Sequence, residues 1–149
     1  NEERKFNMVK KVKDILQKPF KGKKVAFLGV TFKPNTDDLR ESPSLVIIPE
    51  LKKLGLNILA HDPAYNKSFK MQKEFKGVIW KKNVFHAIKG SEIMIIHTEW
   101  NEYRGVDLNR IKRLLVKPII LDLRNIFNSN EMKSLGFSYF DIGAKKNET

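Results

Sequence analysis

The chain has 149 residues, 41% of them hydrophobic, and its 29 Lys and Arg against 17 Asp and Glu give a formal charge of +12. Such a length supports one core of ordinary size, the composition excludes a wholly disordered chain, and no apolar run is long enough to span a bilayer. The absence of cysteine excludes disulfide scaffolding, cysteine-ligated metal and thiol catalysis within this chain, and it allows a cytoplasmic setting.

Residues 1–18 read as an amphipathic helix, because Met8, Val9, Val12, Ile15 and Leu16 recur at three- and four-residue steps between lysines, and Pro19 stops it. The segment opens on Asn1 with no capping signal, which suits the end of a longer helix. It either packs on the domain or belongs to an interdomain or dimer helix. Val25 to Val30 then reads as a buried strand. Ser42-Pro43 is the expected start of the next helix, with the Ser42 hydroxyl as its cap, and Gly55 its stop.

Further strands are expected at Asn57–His61, Gly77–Trp80, Ile93–His97, Ile119–Asp122 and Ser138–Ile142. Helical patterns lie between them at Val84–Lys89, around Leu108 to Leu115 and at Glu131–Leu135, while 64–76 is a polar connection or weak helix. The tail after Gly143 is expected to be mobile. Alternating strands and helices with short connections predict an α/β fold: a doubly wound, mostly parallel, Rossmann-like sheet with helices on both faces. The unbroken apolar runs agree, since strands covered on both sides lose their in-out alternation.

On that layout the chemistry collects at one place. Lys33 to Arg40 follow the first strand, Asp62 ends the second, His97 to Trp100 end the fourth, and Asp122, Arg124 and Asn125 end the fifth. All fall at the carboxyl-terminal edge, where a doubly wound sheet holds its ligand. Lys33, Arg40 and Arg124 supply cations to one rim, and two guanidinium forks with an ammonium suit a diphosphate. The loop lacks the spaced glycines of a dinucleotide fingerprint, so side chains rather than a glycine cradle would carry the phosphate. Asp62 stands where a ribose-binding carboxylate would lie, although a turn former before Pro63 is the simpler role.

The remaining candidates are weaker. His61 with Asp62, or His97 with Glu99, lacks metal-ligand spacing, and His86 reads as structural. Trp100 and Tyr103 could stack on a base or close a core edge. No serine stands in a nucleophile elbow, so no catalytic centre is expected here. The positive charge is mostly scattered lysine, without an arginine-rich arm or zinc-finger spacing, which argues for a solvating surface rather than a nucleic-acid-binding module.

Gly29, Phe32-Lys33-Pro34, Thr36-Asp37-Asp38 and Arg40-Glu41-Ser42-Pro43, with Asp62-Pro63, Thr98-Glu99-Trp100 and Leu121-Asp122-Leu123-Arg124-Asn125, resemble the carboxyl-terminal domain of the UDP-glucose/GDP-mannose dehydrogenase family. The likeness runs from about Lys21 to Gly143 and is greatest to bacterial UDP-glucose 6-dehydrogenases, with UDP-N-acetylmannosamine and GDP-mannose dehydrogenases sharing much of it. It implies a division into 1–18, the end of the central dimerisation helix, and 19–149, a UDP-sugar-binding domain. It also implies that the sugar alcohol is oxidised in two NAD-dependent steps on a cysteine in a preceding amino-terminal NAD-binding half, so that this segment alone is inactive. By the same resemblance Phe32, Lys33 and Arg124 contact the UDP-sugar, Arg124 reaching across a homodimer, and Arg40 approaches the phosphates of NAD. Gly143-Ala144 departs from a Gly-Arg common in the family.

Overall fold

The apolar run after the lysines becomes strand β1 (Lys24–Leu28), buried throughout beyond Lys24. It pairs in parallel with β2 (Asn57–His61) on one side and β4 (Ile93–Ile96) on the other. β3 (Ile79–Trp80) lies beyond β2, while β5 (Ile119–Asp122) and β6 (Ser138–Asp141) lie beyond β4. The sheet is therefore six-stranded, ordered β3-β2-β1-β4-β5-β6 and parallel at every pairing. This computed structural model describes residues 2–143, so the expectations for the tail beyond Gly143 lie outside the described residues.

The four central strands, β2, β1, β4 and β5, each feed two cores. Val25 and Phe27 of β1 face one side with Ile58, Ile93 and Ile95, and Ala26 and Leu28 face the other with Leu59, Met94 and Ile96. The first core is roofed by α1 (Glu2–Leu16), α2 (Ser44–Lys53), α3 (Lys67–Met71) and a 3₁₀ turn (Lys73–Phe75). The second lies under α4 (Val84–Ile88), α5 (Asn101–Arg104), α6 (Leu108–Leu114) and α7 (Ser129–Ser134). Helices on both faces keep the sheet dry, which is why its central strands read as continuous apolar runs.

The order reverses between β1 and β4: the chain winds outward from β1 through β2 to β3, then returns to β4 and winds the other way. Loops leaving the carboxyl ends of β1 and β4 diverge there and open a crevice. α1 lies against the domain, with Val9 and Val12 buried in the first core.

Local details differ from the sequence reading in three places. The stretch 64–76, expected as a polar connection or weak helix, resolves into α3 and the 3₁₀ turn. α5 appears where no helix was expected, because four residues are too few to show a period. Ser42 does not cap α2, whose start carries no side-chain cap. The Ser42 hydroxyl instead donates to the Val30 carbonyl at 2.6 Å, as does that of Ser44. A main-chain carbonyl leaving β1 needed a donor, and that demand outcompeted the helix start.

Candidate functional site at the carboxyl edge of the sheet

The loop after β1 is fixed before it is functional. Gly29 has φ +82, and a Cβ there would stand 2.7 Å from Thr98 Oγ1, so only glycine passes this close to β4. The Gly29 N–H bonds the His61 carbonyl, and the Val30 N–H bonds Asp62 Oδ2, each at 2.8 Å. Asp62 Oδ1 accepts from the Ala64 N–H at 2.8 Å, so both its oxygens serve backbone. Burial raises the Asp62 carboxyl above the ordinary range, partly offset by these N–H groups. It is a clamp between two loops, not an open ribose ligand. Thr98 Oγ1 donates to the Thr31 carbonyl at 2.8 Å, and Thr31 Oγ1 to the Lys33 carbonyl at 2.9 Å.

The loop after β5 is held by a single carboxylate. Asp122 is fully buried, accepting from the Arg124 N–H through Oδ1 at 3.0 Å. Its Oδ2 takes the Ile126 N–H at 2.9 Å, the Phe127 N–H at 3.2 Å and the Tyr139 hydroxyl at 2.6 Å. This hub closes a tight turn, with Asn125 at φ +54, and sets the direction in which Arg124 leaves the backbone.

Arg124 then bridges the loops. Its Nε donates to the His97 carbonyl and its Nη2 to the Phe32 carbonyl, both at 2.8 Å, and its Nε stands 3.6 Å from Glu99 Oε1. Beside it lies a cleft of about 940 Å³ between α1 and this edge of the sheet, lined by Phe32, Glu41, Pro43, His97, Leu123, Arg124 and α1 residues that include Arg4, Lys5 and Lys11. Four of those lining residues are cationic and two, Glu2 and Glu41, are anionic, so the cleft favours an anion.

Within one chain the three expected cations do not share a pocket. Phe32, about half exposed, and Arg124 meet in the α1 cleft. Lys33 is exposed on the same loop, and its side chain makes no hydrogen bond or ion pair with the described residues. Arg40 lies in a separate recess of about 660 Å³ with Asp37, Asp38, Ser68 and Gln72. There its Nε and Nη2 fork onto Asp38 at 3.0 and 2.9 Å, and the Arg40 side chain and backbone hydrogen bonds bring the Asp38 carboxyl down to about 2. The loop turns through Asn35 at φ +66, and the Lys33 charge also helps to lower the Asp38 carboxyl that Arg40 holds.

Tyr103 is wholly buried, its hydroxyl donating to the His61 carbonyl at 3.0 Å, so it is a core residue and not a base platform. Trp100 packs at the edge of the second core. His86 is exposed on α4, against the structural role expected for it. No group of three His, Asp or Glu among the described residues is placed to share a metal ion.

Comparison with known proteins gives the site its context. Residues 26–129 match the family described as "UDP-glucose/GDP-mannose dehydrogenase family, UDP binding domain". A UDP-glucose 6-dehydrogenase of Rickettsia conorii is 37% identical over 145 residues, covering 97% of this chain and 34% of that protein. One from Bacillus subtilis is 35% identical over 144 residues, covering 96% and 31%. A solved UDP-glucose dehydrogenase of Pyrobaculum islandicum superposes with a TM-score of 0.75 at 26% identity, over 95% of this chain and 29% of that one. The chain thus spans about a third of the length of the curated relatives it matches.

Proposed function

The chain belongs to the UDP-glucose/GDP-mannose dehydrogenase family, whose UDP-binding domain it matches, and from that premise we propose that it supplies the UDP-sugar-binding part of an NAD-dependent UDP-glucose 6-dehydrogenase. The observation that carries the reading is the Arg124 side chain, which ties Phe32 of the first motif to His97 beside the cationic cleft. Two segments far apart in sequence thereby present an aromatic ring and a guanidinium to the same space. A nucleotide base stacks on such a ring while its diphosphate takes the remaining guanidinium N–H groups. Lys33 follows Phe32 on the same loop and, in this reading, adds an ammonium to the phosphate site.

Residues 19–149 form the nucleotide-sugar domain in this reading, and 1–18 end the helix that joins it to an amino-terminal half. That half supplies the cysteine for the covalent step and most of the NAD site, and two copies associate as a homodimer. NAD accepts the hydride in each oxidation. The loop after β1 carries one glycine, Gly29, and not the spaced glycines of a dinucleotide fingerprint. By the family resemblance this chain's share of the cofactor site is Arg40, whose Nε and Nη2 are held by Asp38. The chain itself binds and orients; it moves no proton or hydride alone.

Calorimetric titration of UDP into the 149-residue chain and its Lys33→Ala variant tests the site. Binding should be weak, because the other walls of the pocket come from elsewhere, and should weaken further with salt. The variant should lose about tenfold, the usual scale for one charge-assisted contact. Equal affinities would remove Lys33 from the site.

A further inference from the structure

Of the residues lining the α1 cleft, only His97 and Leu123 are buried, and His97 is the polar one. Its hydrogen bonds settle its tautomer. The Thr98 hydroxyl has one proton, which goes to the Thr31 carbonyl at 2.8 Å, because a carbonyl can only accept. His97 Nδ1, 3.0 Å from the same hydroxyl oxygen, must then be the donor of that pair. Burial, reinforced by the nearby Arg124 charge and only partly offset by the Gly29 carbonyl, brings the imidazole down to about 3, so the ring is neutral at ordinary pH. With the proton on Nδ1, Nε2 carries a bare lone pair, and no group among the described residues donates to it.

A buried acceptor without a donor is uncommon in folded chains, and where one persists it calls for an explanation. Here the residue that carries it lines a cationic cleft, next to the arginine whose Nε is tied to the carbonyl of the same residue. We propose that His97 determines ligand specificity in this cleft, its Nε2 accepting a hydrogen bond from a hydroxyl or N–H group of the phosphorylated ligand that Arg124 holds. The proposal rests on the reading of the cleft as the nucleotide-sugar site. Arg124 then reads the anion and His97 reads a neutral donor beside it. A ligand with both groups is distinguished from a bare phosphate, since leaving Nε2 unmet costs binding.

The test uses the whole chain, labelled with nitrogen-15, and follows the His97 imidazole nitrogens while UDP-glucose or inorganic pyrophosphate is added. UDP-glucose should move the Nε2 resonance upfield, as a lone pair does on accepting a hydrogen bond, and pyrophosphate should leave it in place. His97→Phe, which keeps a flat ring and removes the acceptor, should weaken UDP-glucose about tenfold and leave pyrophosphate unchanged. His97→Gln, which restores an acceptor, should recover most of the loss. If UDP-glucose binds the wild type while Nε2 stays in place, the His97 proposal falls and the nucleotide-sugar reading stands. If the wild type takes up no UDP-glucose, both fall. The wild-type resonance decides the matter even if His97→Phe does not fold.

Discussion

Arg124 Nη2 donates to the carbonyl of Phe32 at 2.8 Å across 92 residues of sequence. The bond means that the loop after β1 and the loop after β5 cannot move independently. The guanidinium that faces the cleft is also a strut of its wall, with the His97 carbonyl as its second support. In the proposed site, binding and local stability therefore draw on the same side chain.

Arg124→Lys separates the two roles poorly, and that is its use. A lysine keeps the charge but can reach only one of the two carbonyls, and it offers a phosphate no fork. The variant should be about 1–2 kcal/mol less stable in denaturant titration, through the orphaned carbonyl. UDP affinity should drop about tenfold in calorimetry. Unchanged stability would show that the Phe32 and His97 bonds contribute nothing in solution.

Asp122→Asn should be worse than its isosteric shape suggests. Asp122 accepts from three backbone N–H groups and from the Tyr139 hydroxyl, all in a fully buried setting. An amide puts an NH₂ group where only acceptors fit, setting donor against donor. A loss of about 2–3 kcal/mol is expected, roughly 5–10 °C in melting temperature. Tyr139→Phe removes one of those donors and should cost about 1 kcal/mol. A melting curve for Asp122→Asn that overlays wild type would show that the turn carrying Arg124 does not depend on this hub.

The chain should lose stability in acid. His97 titrates near 6.5 when unfolded and near 3 when folded, and burial lowers His61 as well. Between those values the unfolded chain binds more protons than the native one, so stability falls as the pH drops through that window. The slope is about 1.4 kcal/mol per pH unit for one such group. Asp62, raised by burial, acts in the opposite sense, favouring the fold once it is protonated. Melting temperature measured from pH 7 to pH 4 should decline in wild type and decline less in His97→Phe. Identical slopes would mean that the His97 ring is hydrated and titrates normally.

The parts legible in the sequence are those decided by local chemistry. β1, β4 and β5 were visible because strands buried on both faces become apolar runs, and the carboxyl-edge position of Arg124 followed from strand order. Short helices were uneven: α4, α6 and α7 were read close to their bounds from apolar spacing, whereas α5 was missed and α3 was left as part of a polar connection or weak helix, because a cap such as Asn66 also reads as an ordinary turn residue. The cleft depends on long-range contacts that no local pattern encodes. Its α1 wall is pinned by Lys11 Nζ donating to the Asp141 carbonyl across 130 residues. His97 was visible as a polar strand end, but its tautomer is set jointly by Thr98 and Thr31, and Thr31 leaves a different strand. Arg40 sits apart from Arg124 in a recess where it forks onto Asp38, and the left-handed φ at Asn35 in the same loop was not read from its neighbours.

The 149-residue chain should produce no NADH from UDP-glucose and NAD. Oxidising an alcohol through a thioester requires a thiolate, and there is no cysteine anywhere in the sequence. The first hydride step also needs a base beside the sugar alcohol. The histidines do not supply one: His61 and His86 lie outside the α1 cleft, and His97, brought down to about 3, can accept a hydrogen bond there but is too weak a base to keep the proton. Binding and turnover should thus separate cleanly, with UDP taken up by calorimetry and no change in nicotinamide absorbance above a protein-free blank. A rate above that blank, surviving further purification, would put a base or a nucleophile within this segment and overturn the assignment of the chemistry to the amino-terminal half.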